Sequence, residues 1–344
     1  MRSPSPINEP WAADGLEAVP ACPLCGSERR ALAYSDVQDW SFYSAPGKWT
    51  YWDCSNCQAL YLDPRPTQAS MGAAYRSYYT HGRAGRETLH SRIKSRLRNE
   101  ALSLRLNASV EPRLHLPNAL SGFAGMLARR VVVPFGWMNL AALPKGRFMD
   151  VGCGSGQVVA LARQLGWNAS GIELDPLAVS EARRSGLDIV EGSFAQLAHY
   201  EGQFDCVMCS HVLEHVHEPL ACLAQLKSAL KPGGVLLLTL PNSLSVVRRH
   251  FGRNWRGLEA PRHLCIPAQA FLERLLVAAG FQLLSLADCR SETVPESLRI
   301  QRRGLTLERQ DIVKASRLGL KPADTAVDSD FIKLVCTVPT AASA

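Results

Sequence analysis

MDVGCGSGQ, residues 149–157, is the stretch on which the reading of the whole chain turns. An apolar run ends here in Gly152, Gly154 and Gly156, and helix-forming residues follow. Glycines at a strand exit are expected where a ligand must approach the backbone closer than a Cβ permits, or where a turn needs positive φ. A second apolar run ends in GIELDP at Glu173, and a carboxylate at that place can take both hydroxyls of a ribose. These features predict a nucleoside-binding crevice. The dinucleotide fingerprint Gly-x-Gly-x-x-Gly does not fit, because its third glycine would fall at Gln157; the spacing is Gly-x-Gly-x-Gly.

From residue 146 onward, short apolar runs alternate with helical stretches. FMDV precedes a helix over 156–165, ASGIEL one over 176–185, and DIV stands alone. FDCVMCS then precedes a helix over 218–230, VLLLTLP one over 267–279, and FQLLSLA is followed by a last strand at 331–338. Such alternation predicts an α/β domain, a parallel sheet with helices on both faces. Residues 289–330 make a long polar connection with a helix expected around 305–318, and connections of that length are usually functional.

The glycine run preceded by Asp150, the acidic strand end, FDCVMCSHVLEHV and LKPGGVLLLTLPN follow in order over residues 147–241, which resembles the class I S-adenosylmethionine (SAM) dependent methyltransferases. The resemblance implies a Rossmann-like seven-stranded sheet over 146–340 and SAM as cofactor. It would place Asp150 near the SAM amino group, Gly152, Gly154 and Gly156 beneath the methionine portion, Glu173 on the ribose and Leu174 beside the adenine. Ser210 and His211, at the carboxyl end of the fourth strand, are expected at the crevice. Many relatives carry an acid after the third strand; EGSFAQL offers only Ser193 there, and that contact stays open.

Residues 211–215 spell His-x-x-Glu-His, the inverted zincin pattern. The context argues against a zinc protease, since the motif starts where a buried strand ends and Pro219 follows soon after. Ubiquinone-pathway O-methyltransferases are similar in carrying Glu-x-x-Glu-His at this place with a divalent ion. His211 replaces the first Glu here, a softer set that disfavours Mg²⁺. A polar pair of Glu214 and His215 at the sheet edge is the favoured expectation.

Ahead of this domain, Cys22-x-x-Cys25 and Cys54-x-x-Cys57 frame a segment rich in aromatics, from Tyr34 to Trp52. Four thiolates give the closed tetrahedral shell of a structural zinc site, so a small zinc-binding domain is expected over 21–66, followed by a helical linker or cap over 67–145. The basic residues between the cysteines are balanced by Glu28, Asp36, Asp39 and Asp53, which does not favour nucleic acid. The order of zinc knob, tyrosine-rich segment and methyltransferase domain resembles bacterial sugar-modifying methyltransferases. That resemblance implies that Tyr75, Tyr78 and Tyr79 close the site, with core packing as the alternative.

The insertion at 242–267 holds Trp255, Arg256, Arg262 and His263, polar or aromatic groups with little structural reason to cluster. It is expected as a lid over the crevice, with Trp255, Arg256 and Arg262 on the substrate. Arg248, Arg249, Arg253 or Arg256 could meet phosphate. In similar sugar C-methyltransferases a histidine near this place lies by the reacting centre, so His263 is the expected general base. The alternative is a histidine that only bonds a loop carbonyl.

No apolar run reaches the ~20 residues of a membrane span; the nearest, at 119–143, is cut by Arg129, Arg130 and Pro134 and allows at most surface contact. The N-terminal MRSPSPINEP lacks a signal peptide's plan and, with cysteines in metal-type pairs, points to the cytoplasm. The net charge of +7 is concentrated at 83–105, where seven Lys or Arg face only Glu87 and Glu100. Such a stripe suits a phosphate-bearing substrate, a nucleic acid or a membrane surface, or is a solvated helix face. Together these features predict a methyltransferase acting on oxygen or carbon of a small glycosyl or nucleotide-linked substrate. The alternatives are a nucleic-acid or protein methyltransferase that docks a polymer through the knob and basic helix, and a silent SAM-binding scaffold.

Overall fold

A computed structural model describes residues 8–75, 89–115, 135–286, 293–301 and 329–340. Tyr78, Tyr79, the expected helix around 305–318 and most of 119–143 lie outside these residues. The chain divides into two compact units, one made of Met1–Tyr78, Cys209–Lys227 and Leu238–Ala344, the other of Tyr79–Met208 and Ser228–Leu237.

In chain order the first five strands are β1 (Leu16–Glu17), β2 (Arg30–Val37), β3 (Trp49–Cys54), β4 (Leu60–Leu62) and β5 (Arg65–Pro66). Helices α1 (Leu89–Leu106) and α2 (Phe135–Ala142) precede the alternating part: β6 (Arg147–Val151), α3 (Gln157–Gln164), β7 (Asn168–Glu173), α4 (Pro176–Arg184), β8 (Ile189–Glu191) and β9 (Phe204–Ser210). Then come α5 (Pro219–Ala229), β10 (Leu230–Pro241), α6 (Val246–Phe251), β11 (Cys265–Ile266), α7 (Gln269–Ala278), β12 (Gln282–Leu286), α8 (Val294–Gln301) and β13 (Phe331–Thr337).

The large sheet has seven strands in the order β12-β13-β10-β9-β6-β7-β8. β6 pairs with β7, and β7 with β8, in parallel, which sets Asp150 opposite Gly171 and Glu173 opposite Glu191. β12 and β13 run antiparallel, with a bulge between Leu283 and Ser285, so the sheet is mixed rather than wholly parallel. Burial explains the register: four of the five β6 residues are buried, as is most of β10, the pattern of strands covered on both faces. Local chemistry starts α4, where the Asp175 carboxylate accepts from Leu177 N at 3.0 Å and Pro176 occupies the first turn.

The first unit has its own four-stranded sheet, β11-β4-β3-β2. Strands β2, β3 and β4 form an antiparallel meander. The fourth strand comes from the 242–267 segment: Cys265 stands opposite Tyr61, and Leu62 N donates to Leu264 O at 3.0 Å. One core joins Trp49, Tyr51, Leu60 and Leu62 to Phe251, Trp255, Leu258 and Ile266. The segment expected to lie over the crevice therefore supplies core residues and an edge strand to the sheet of the cysteine module.

Candidate active site

The glycine turn belongs to the second unit. Gly152, Gly154 and Gly156 all have positive φ, at 73°, 54° and 80°. Gly156 is further constrained, because a Cβ there would sit 2.5 Å from Leu187 Cδ1, whereas a Cβ on Gly154 would meet nothing within 4 Å. The outer side of Gly154 is thus open, as a backbone cradle requires. Glu173 Oε2 accepts from Gly154 N at 2.7 Å, and Oε1 accepts from Leu174 N and Asp175 N at 2.8 and 2.9 Å. The carboxylate is held rigidly against the turn while Leu174 is exposed beside it. Asp150 is 4% exposed, and burial, with the Glu173 charge, pushes its carboxyl up to about 8. A buried acid raised in this way is protonated and neutral in the ligand-free protein at ordinary pH. Ser193 Oγ accepts from Ala195 N at 3.3 Å as a cap of the short helix at Phe194–His199.

Ser210 and His211 belong to the first unit, at the end of β9. His211 has φ 55°, its N donates to Thr239 O at 2.8 Å, and its Nδ1 lies 3.1 Å from Glu214 Oε1. The His-x-x-Glu-His residues do not share a long helix face; Leu213–His215 is a single 3-10 turn. Glu214 is fully buried, and its Oε2 has no hydrogen-bond partner among the described residues. Burial opposes its ionisation, but His211, His215 and His263 hold the carboxyl below the usual range. Ligand atoms of Glu214, His215 and His263 lie within 4.8 Å of one another, and the His215 and His263 rings meet edge to face at 4.6 Å. One carboxylate and two imidazoles in that span can share a proton, or hold a borderline cation. His215 Nδ1 also lies 3.1 Å from the Tyr75 hydroxyl and 3.1 Å from Arg262 O.

The residues expected on the substrate fall into a buried network. His263 is 4% exposed, and its Nδ1 sits 2.7 Å from Gly257 O, which makes Nδ1 the donor and leaves Nε2 unprotonated. Burial pushes this imidazole down to about 4, against the opposing pull of Glu259, whose Oε2 lies 3.6 Å from Nε2. Arg262 is 0% exposed; it donates to Asp39 Oδ1, to Glu259 Oε1 at 3.2 Å and to Ala74 O at 2.8 Å, and lies 4.6 Å from the Phe42 ring centre. Arg256 pairs with Glu259 Oε2 and is half-buried. Trp255 is buried, its indole N–H donating to Asp330 Oδ1 at 3.2 Å. Arg248 Nη2 donates to both Asp53 carboxylate oxygens, at 2.9 and 2.8 Å. The Tyr51 hydroxyl lies 2.7 and 3.0 Å from the carbonyls of Leu258 and His263, pinning the loop from below.

The four cysteines come together as their spacing predicts. Their sulfurs lie within 4.8 Å of one another, with Cys22–Cys57 and Cys25–Cys54 each at 3.5 Å. A tetrahedral zinc with Zn–S bonds of ~2.3 Å needs sulfurs about 3.8 Å apart, so the set fits. Turns at Gly26 (φ 70°) and Gln58 (φ 61°) follow each pair and fold the knuckles back. A fifth thiol, Cys265, is buried in the same cluster and hydrogen-bonded to Cys22. Sequence reasoning missed it, because an isolated cysteine in an apolar run carries no spacing signal. It also missed Asp39, Tyr51 and Glu259, whose roles exist only through partners far away in the chain.

Comparison with known proteins agrees with the strand-turn-helix reading. Residues 129–286 match the family model of a methyltransferase domain. A ubiquinone biosynthesis O-methyltransferase of Xanthomonas campestris is 39% identical over 108 residues, 29% of this chain and 45% of that protein, so the match spans less than half of that relative. The protein of the same name from Dinoroseobacter shibae is 31% identical over 185 residues, 49% of this chain and 73% of that one. A solved SAM-dependent methyltransferase from Archaeoglobus fulgidus aligns at 15% identity over 56% of this chain and 86% of its own, with a TM-score of 0.41, too low to bear on the site. The fold and the glycine turn define a SAM-binding α/β protein. The chain belongs to the class I SAM-dependent methyltransferase family.

Proposed function

We propose that this chain transfers a methyl group from SAM to an oxygen or carbon of a small glycosyl or phosphate-bearing acceptor. The observation that carries the SAM half is the buried, raised Asp150 beside the left-handed glycine turn. The proposal gives Asp150 the SAM ammonium, Glu173 the ribose hydroxyls and exposed Leu174 the adenine, with Ser210 and His211 as further cofactor contacts. When bound, SAM supplies an electrophilic methyl group on a good leaving group.

Asp150 gives this reading a pH signature. Its raised carboxyl stays protonated in the ligand-free fold up to about pH 8, whereas in an unfolded chain it ionises near 4. The ligand-free unit therefore loses stability as pH rises through that window. An ammonium beside Asp150 favours the ionised form, so binding expels a proton. SAM affinity should rise by up to roughly tenfold per unit between pH 6 and 8, then fall as an α-amino group of pKa ~8 deprotonates. Calorimetry in buffers of different ionisation enthalpy should show close to one proton released per SAM at pH 7. A flat profile with no release would assign Asp150 another role.

On the acceptor side, His263 is proposed as the general base. Its fixed tautomer leaves Nε2 able to accept a proton, it is neutral at ordinary pH, and Glu259 stands 3.6 Å away to stabilise the imidazolium. Arg256, half-buried, is proposed to face the acceptor, while buried Trp255 and Arg262 act by positioning the 255–263 loop. Support for a small acceptor is the internal pairing of most of the cysteine module's cations, Arg30 with Asp63, Lys48 with Asp36 and Arg65 with Glu17, and of Arg248 with Asp53, which leaves little for a polymer's phosphates. The names of the relatives favour oxygen. A second reading, in which His263 only anchors the loop, draws on its burial and its bond to Gly257.

Transfer of labelled methyl from SAM to nucleotide sugars, sugar phosphates and the acceptors of the ubiquinone-pathway relatives tests both. On any acceptor the wild type methylates, His263→Gln should lower kcat roughly a hundredfold with SAM affinity unchanged. A loss under about threefold would leave only the anchoring role.

A further inference from the structure

We infer that α1 is a docking face for an anionic membrane surface. Residues 92–98 of this helix are exposed on every side, unlike the buried stretch 100–103 that follows. The exposed large apolar residues of the helix are not scattered. Leu89, Ile93, Leu97 and Leu104 are 74%, 45%, 41% and 45% exposed, and at 100° per residue they fall within a sector of about 80°. Arg92 and Arg96 border this stripe on one side, and Lys94, Arg98 and Arg105 on the other. The one acid of the helix, Glu100, is buried and accepts from His115 N at 3.0 Å. Among the described residues the charged groups on the outward surface of α1 are cations, arranged on both banks of an apolar strip.

That arrangement selects its partner. A nucleic acid would use the cations but has nothing to place against four exposed aliphatic side chains. An acidic protein groove would use the leucines, but cations on both flanks would need acids on both rims. An anionic bilayer uses everything: the leucines enter the acyl boundary, and the flanking Lys and Arg extend their stems along it to reach lipid phosphates. The neighbouring α2 adds Trp137, whose ring lies 5.9 Å from the Arg98 guanidinium, and Met138, 42% exposed. Among the described residues no helix is long and apolar enough to cross a membrane.

The test is co-sedimentation of the full chain with vesicles of phosphatidylcholine containing about one-third phosphatidylglycerol, against pure phosphatidylcholine. The expected result is binding to the anionic vesicles only, weakened by salt. Ile93→Asp should reduce partitioning at least roughly tenfold. Should that variant lose its thermal transition, the pair Lys94→Glu and Arg98→Glu, which leaves the leucines in place, should reduce partitioning by a similar factor. Absence of binding to anionic vesicles, equal binding to neutral ones, or binding unmoved by these substitutions would overturn the inference. So would tight RNA binding with a steep salt slope that the vesicles do not match.

Discussion

Replacing Cys57 by serine is expected to strip the cysteine module of its metal and to unfold the sheet built on it. Purified wild-type chain should carry one zinc by elemental analysis, and the variant should carry less than a tenth of that. The size of the effect follows from what holds β2, β3 and β4 together. The module spans few residues, and its core depends on Cys22, Cys54 and Cys57 lying beside Leu24, Ala59 and Tyr61. Structural zinc supplies roughly 10–16 kcal/mol of apparent binding energy in small modules, as much as the whole stability of a typical domain. Without it, four thiols in van der Waals contact offer only weak S–H bonds. The loss should reach the proposed base, because β11 pairs with β4 and leads directly from His263. Near-UV circular dichroism and the thermal transition, followed during chelation, would report it. A metal-free chain with unchanged spectrum and midpoint would show that the cysteines need no ion.

The second large effect is expected from Arg262→Met. The guanidinium has no solvent exposure and answers two buried acids, Asp39 and Glu259. Methionine fills much of the volume but leaves Asp39 without its Arg262 cation and Glu259 with Arg256 in place of two arginines, and breaking a buried pair from one side costs roughly 3–5 kcal/mol. A midpoint lower by about 4–7 °C follows for a protein of this size. Asp39 also accepts from Phe42 N, Ser44 N and Ala45 N, so a protonated or displaced Asp39 loosens the 39–45 loop as well. The double variant Arg262→Met, Asp39→Leu should recover part of the loss, since one uncompensated charge has gone. A midpoint within about 1 °C of wild type, a drop of roughly 1 kcal/mol or less, would mean that the acids find other partners.

What the sequence made legible was local. The turn at 152–156 is read from three glycines within five residues, and all three adopt the left-handed backbone that only glycine takes without strain. β9 and the strand at 331–337 are read from continuous apolar runs, and the two cysteine pairs from their spacing. The buried network around Arg262 resisted for a physical reason. Arg262, Glu259, Asp39 and His263 are types that composition assigns to a surface, and only mutual pairing allows them inside. The partners of Arg262 include Asp39, 223 positions earlier, and no periodicity within either segment announces that distance. For the same reason 242–267 reads as an exposed insertion, although Trp255, Leu258 and Ile266 are core.

The strand at 265–266 closes an edge opened far upstream: Tyr51 and the carbonyl of His263 that it touches stand 212 positions apart. On a ribosome adding about 5–20 residues per second, that interval lasts roughly 10–40 s. Throughout it the nascent chain shows Leu60, Tyr61 and Leu62 beside an unpaired strand edge, the surface most prone to join a neighbour. Early capture of zinc would hold the meander in shape during the wait. Cells short of the metal should therefore lose this protein to inclusion bodies during synthesis, well before any loss of activity in molecules already made.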